Sequence, residues 1–196
     1  MEIIWDRKLV QDNWKLLKGD LDWLRRPGED GLLPALPVGN LIVPLSLWKA
    51  RREDLLEHRT DPRHRKNPQL RGSGRIGVWL ESDEQPERIT ADLPHFDVVA
   101  VNFPHFTDGR GYSSAYLLRE RLGYGGELRA IGDILRDQIY YLSRVGFNAF
   151  ALRADQNAAE ALTALDDFSE AYQVAADQPE PLFRRRLYAQ TERKAA

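Results

Sequence analysis

The sequence predicts an α/β protein, a mostly parallel sheet of about five strands covered by helices. Three observations predict it. Short, mostly apolar runs recur at Leu41–Leu45, Ile76–Leu80, Val98–Val101, Leu128–Ile131 and Phe147–Leu152. Such runs read as strands buried on both faces. Helical patterns alternate with them, which is the signature of a parallel sheet. Polar stretches carrying Gly and Pro punctuate the series. An open Rossmann-like or flavodoxin-like sheet is the first expectation, and a partial β/α barrel is the alternative. A closed barrel of eight units takes roughly 250 residues, and the chain has 196.

The elements follow in order. Residues 1–40 read as an irregular N-terminal arm, broken by Pro27, Pro34, Pro37, Gly28, Gly31 and Gly39, with a hairpin over Ile3–Leu17. Residues 41–176 read as a single α/β domain. Ser46 is a candidate N-cap for a helix through Glu57. Thr60–Arg75 is polar and reads as an exposed loop, and His58 and His64 lie in a charged, exposed stretch. Glu84–Ala91 reads as a short helix and Ser113–Leu122 as a longer one. Asp133 is placed to cap a helix through Val145, which Gly146 terminates. Ala158–Ala176 shows an amphipathic period, with Ala158, Leu162, Leu165, Phe168 and Tyr172 on one side. Residues 177–196 read as a flexible tail with a basic run, Arg184–Arg186.

Composition narrows the chemistry. Cysteine is absent, so no disulfide, thiolate zinc site, Cys-ligated iron–sulfur cluster or cysteine nucleophile is available. A net charge of -2 gives no electrostatic case for nucleic acid or a membrane surface. No apolar run reaches spanning length, and the N-terminus has no signal-peptide core, so the expected location is the cytoplasm.

Gly72-Ser73-Gly74-Arg75-Ile76-Gly77 spells G-x-G-x-x-G. It leads into a strand instead of opening a helix, which is the wrong context for a dinucleotide site. Asp108-Gly109-Arg110-Gly111-Tyr112-Ser113-Ser114 is better placed, after a strand and before a helix. Ligands of parallel sheets bind there. Gly109 and Gly111 allow close backbone approach, and Ser113 or Ser114 is a candidate cap. Arg110 offers a planar fork for an oxyanion. Arg129 is a charge on a strand expected to be buried, so it needs a carboxylate or a ligand. The anion-binding candidates are therefore Gly109, Arg110, Gly111, Ser113, Ser114 and Arg129. Asp108, Asp133, Asp137 and His105 are the candidate acid–base groups. The plainer reading of these clusters is a loop in which Asp108 pairs Arg110, and a salt-bridge network around Arg129. His58, His64, His95 and His105 have no metal-ligand spacing, and no metal is expected. No motif names a cofactor.

Several strings resemble a known family. They are Phe106-Thr107-Asp108-Gly109-Arg110-Gly111-Tyr112-Ser113, Leu118-Arg119, Gly126-Glu127-Leu128-Arg129-Ala130-Ile131-Gly132-Asp133, Arg136-Asp137-Gln138 and Gly146-Phe147-Asn148-Ala149-Phe150. They resemble the domain of unknown function 934 family of bacterial proteins. The resemblance implies a gene neighbourhood with assimilatory sulfite reductase and adenylyl-sulfate reductase. It therefore implies an accessory protein or oxidoreductase component of sulfite/sulfate reduction, with sulfite reductase or its electron donor as partner. It carries no established catalytic residues. Arg110, Arg119, Arg129 and Arg136 within those strings would suit an oxyanion such as sulfite or sulfate. The alternative is a small α/β enzyme or binding protein for an anionic metabolite. Whether the chain is catalytic is left open by the residues themselves.

Overall fold

A computed structural model describes residues 1–187 apart from Asp30 and Arg71, and leaves the side chains of Arg65 and Pro68 undescribed. The sheet has eight strands, not five: β1 (Glu2–Trp5), β2 (Lys8–Gln11), β3 (Trp14–Leu16), β4 (Asn40–Pro44), β5 (Ile76–Leu80), β6 (Val98–Phe103), β7 (Glu127–Gly132) and β8 (Ala149–Phe150). Three of them come from the segment expected as an irregular arm. The expected hairpin there is β1 with β2, Glu2 opposite Gln11.

The strand order is β2-β1-β8-β7-β6-β5-β4-β3. From β3 to β8 each strand lies parallel to its successor in the chain. A doubly wound sheet reverses direction at a switch point; this sheet never does. Right-handed crossovers that always step the same way place every helix on one face. The sheet is therefore the singly wound, partial-barrel alternative. Its curl follows from the chain itself. Only Asp12 and Asn13 join the edge strands β2 and β3. Eight strands laid flat would put those edges about 34 Å apart at strand spacing, whereas Gln11 to Trp14 reaches at most about 11 Å. The sheet curls into a half-barrel.

Two apolar layers follow from the strand alternation. Leu41, Val43, Val78, Leu80, Val99, Val101, Phe103, Leu128 and Ala130 face the helices and belong to the main core. Ile42, Trp79, Val98, Ala100 and Ile131 face inward, with Trp14 and Ala151 against them.

The helices are shorter than their patterns suggest. The first is broken at Arg51 into α1 (Leu45–Ala50) and α2 (Arg52–Glu57), followed by α3 (Pro62–Lys66). A 3-10 stretch covers Pro86–His95. Next come α4 (Arg110–Tyr116), which continues as a π turn Leu117–Arg121, then α5 (Ile139–Arg144) and α6 (Ala158–Thr163). The Ala158–Ala176 period stops early: a 3-10 turn ends at Asp166, and Phe168 and Tyr172 stay exposed. Thr163 and Asp167 are claimed by Arg136 instead. Residues 182–187 form a helical turn, tied by Arg185 to Glu170. The rest of the expected tail, 188–196, lies outside the described residues. Among the described residues no helix is long and apolar enough to cross a membrane.

Candidate functional site

The carboxyl ends of β5, β6 and β7 and the segment after β3 converge at one mouth of the half-barrel. Asn102 is buried and polar in the otherwise apolar β6, on the inward face. Its amide nitrogen donates to Glu81 Oε2 at 2.7 Å, just past the end of β5. Its Oδ1 accepts from Lys18 Nζ at 3.2 Å. Lys18 Nζ also stands 5.5 Å from the ring centre of Trp79, whose Nε1 is fixed on Leu17 O at 3.0 Å. Crowding of the ammonium by these strand ends lowers the Lys18 pKa, and the charge of Glu81 pulls it back only in part. Lys18 as a residue remains exposed. An ammonium carries three N–H donors, and among the described residues the structure uses one.

The Asp108 loop lies beside this mouth. Ser82, next to Glu81, accepts from Arg110 Nη2 at 2.8 Å. Arg110 is gripped by Asp108, at 2.6 Å and 3.0 Å. That pairing, with the Ser82 hydroxyl behind it, holds the Asp108 carboxyl well below the usual range. The helix begins at Arg110, three residues earlier than expected, because Asp108 Oδ1 accepts the Arg110 N–H at 3.1 Å. Ser113 and Ser114 are consequently inside the first turns and cap nothing. Gly111 is needed for packing: a β-carbon there would sit 2.5 Å from Phe103 Cζ.

Asp133 reaches the same end of the sheet. It caps no helix; the next one starts only after a 3-10 turn at Arg136–Gln138. Instead Asp133 Oδ2 accepts from Phe106 N at 2.9 Å, and Oδ1 from Arg153 at 2.7 Å. It thereby staples the loop after β6 to the loop after β8. His105 is exposed, and its carbonyl accepts from Asp108 N at 2.9 Å. Asp137 is exposed, near the Tyr112 ring.

Arg129 is elsewhere. It points into the half-barrel from β7 and is 2 % exposed. It pairs with Asp12 at 3.0 Å and Glu127 at 2.6 Å. Burial raises the Glu127 pKa, and Arg129 opposes the rise. Asp12 belongs to the link between the two sheet edges, so this triad ties the seam across the sheet. Arg75, stacked 5.0 Å from the Trp14 ring centre, lines the same cavity of about 100 Å³. The other arginines expected to suit an oxyanion are also engaged: Arg119 with Gly146 O, Gly126 O and Asn148, and Arg136 with Asp167.

His58 and His64 are not exposed loop residues. Each is 3 % exposed. His64 Nε2 accepts from Gly39 N at 3.0 Å, while His58 Nε2 meets Gly39 O at 2.7 Å. The rings meet edge to face at 4.6 Å. Together they grip both polar groups of the residue that precedes β4. Among the described residues no group of three or more His, Asp or Glu side chains gathers as metal ligands would.

The fold and the mouth define a class: a partial β/α barrel with polar groups at the carboxyl ends of its strands, where barrel enzymes and binding proteins carry their ligands. The chain belongs to the family described as bacterial protein of unknown function (DUF934), which it matches over residues 77–183, more than half its length. Glu81, Asn102, Arg110 and Asp133 fall inside the match; Lys18 falls outside it. No curated protein and no solved structure matches the chain.

The sequence singles out the Asp108 loop and Asp133, which the structure brings to this end of the sheet, but not Lys18, Glu81 or Asn102, which stand beside them. One signal pointed to them: Asn102 is the only polar residue in the run Val98–Phe103, and a buried amide needs partners.

Proposed function

We propose that this protein binds a small anionic metabolite at the carboxyl-end mouth of its half-barrel, with Lys18 as the principal cation. The observation that carries this reading is the state of the three basic groups there. Arg110 and Arg153 are each closed by carboxylates within salt-bridge distance. Lys18, among the described residues, donates to a neutral amide and lies against an indole face, with the Glu81 charge close by but outside salt-bridge contact. It keeps N–H donors for an incoming anion, and Arg110 on Ser82 forms the adjoining wall.

The family resemblance supports a sulfur oxyanion, sulfite or sulfate, as the ligand class, and a place in assimilatory sulfite/sulfate reduction. The test is thermal unfolding in sulfite, sulfate, phosphate and chloride at matched ionic strength. A ligand confined to the folded state raises Tm with concentration. We expect at least one oxyanion to raise Tm, and the rise to vanish in Lys18→Ala but persist in Lys15→Ala. No rise over chloride, or a rise that survives Lys18→Ala, overturns the reading.

A second reading is an accessory protein that docks on sulfite reductase or its electron donor. It is favoured by the exposed side chains of Phe168, Tyr172, Val174 and Phe183 near the C-terminus, since grouped exposed apolar residues mark interaction surfaces. Deletion of the gene, with growth compared on sulfate, sulfite and cysteine, tests the pathway. Growth on cysteine alone supports it, and equal growth on all three counts against it.

A further inference from the structure

We propose that Lys18 is a nucleophile that forms an imine with a small carbonyl compound carrying an anionic group, such as a 2-oxo acid. The inference rests on the mouth being the ligand site, and goes beyond it by naming a covalent reaction.

The geometry is a lysine head kept apart from its nearest carboxylate. Glu81 faces Lys18, but the Asn102 amide stands between them: Nδ2 on Glu81 at 2.7 Å and Oδ1 on Lys18 at 3.2 Å. A direct ion pair would pin the ammonium in its charged form. An interposed amide orients the nitrogen without doing so. The Trp79 indole shields one side of it, and lysines set against apolar walls are the ones that react with carbonyls. The lowered Lys18 pKa agrees with this placement. Arg110, hydrogen-bonded to the residue after Glu81 and paired with Asp108 through Nε and Nη2, is the neighbouring guanidinium, and only its Nη1 lies outside those contacts among the described residues to meet the substrate's carboxylate.

The step balances without a further reactant. The neutral Nζ lone pair attacks the carbonyl carbon and the C=O π pair moves to oxygen. A proton passes from nitrogen to that oxygen, giving a carbinolamine. A second proton, taken from solvent water, converts the hydroxyl into a leaving water. The C–O bond breaks as the nitrogen lone pair forms C=N, leaving a protonated imine. Nothing is oxidised or reduced.

The test is reductive trapping of the full chain with pyruvate or glyoxylate and cyanoborohydride, followed by peptide mapping. We expect the Lys18 peptide to carry most of the trapped adduct, ahead of those of Lys15 and Lys49, because the mouth orients its nitrogen and screens it on one side. Lys18→Arg abolishes that adduct while keeping a cation for oxyanions, and Asn102→Leu slows it. Equal labelling of all lysines, or none, overturns the imine. If oxyanions still raise Tm in a Lys18-dependent way, the anion-binding reading stands without it; if they do not, both fail.

Discussion

Gly132 lies directly against Asn102. A β-carbon at Gly132 would stand 2.8 Å from Asn102 Oδ1 and 2.3 Å from the Phe103 carbonyl oxygen. Its φ of +102° is one that side chains rarely adopt. The strand end of β7 is thus shaped around the amide that holds Lys18. Gly132→Ala should cost roughly 2–4 kcal/mol, from backbone strain and collision together. Urea unfolding reads this as a lower midpoint at unchanged slope. A midpoint equal to that of the parent protein would show that the two strand ends can part freely.

The Arg129 triad should behave as a buried network. Arg129→Met leaves Asp12 and Glu127 facing each other without a cation, and should destabilise by roughly 3–5 kcal/mol. Adding Asp12→Asn and Glu127→Gln should restore most of the loss, because the charges that needed the arginine are gone. The double- and triple-mutant midpoints check this; additive losses would contradict it.

The His58–His64 grip sets a pH window. Burial lowers the His58 pKa beneath its ordinary 6.5, with His64 and Arg63 adding to the fall and the Gly39 carbonyl and Asp61 opposing it. The unfolded chain then binds the proton more readily than the folded one. Stability is therefore fully present above about pH 6.5 and declines as pH falls toward the lower folded value. Tm between pH 8 and 5 should fall in the parent protein. The decline should flatten in His58→Gln/His64→Gln, which starts from a lower Tm. Parallel curves for the two proteins would remove the histidines as the cause.

Arg119 organises the turn after the π-helical stretch. Its guanidinium donates to the carbonyls of Gly146, Tyr124 and Gly126, and to Asn148 Oδ1, which also accepts from Leu128 N. Arg119→Ala should cost about 3 kcal/mol, because several carbonyls lose a charged donor at once. Arg119→Lys should recover less than half, since one ammonium cannot span the fork. Amide exchange should accelerate first around 122–126. Protection there unchanged from the parent would place the turn's support elsewhere.

The sequence by itself determined the α/β class, the parallel core and the positions of β4 to β8. These rest on mostly apolar runs, and a strand buried on both faces has no other way to be written. It also marked the Asp108 loop and the need of Arg129 for a carboxylate or a ligand, since a buried charge demands a partner wherever that partner lies. It could not show that Ile3, Ile4 and Trp14 belong to the sheet. Their strands are three or four residues long, too short for a period to stand out. Tertiary structure alone decided the rest. The curl comes from edge strands linked by Asp12 and Asn13. Asp12 meets Arg129 across 117 positions of chain, and Lys18 meets Asn102 across 84. Contacts at such separation leave no trace in local spacing, because what brings the residues together is the closure of the whole sheet.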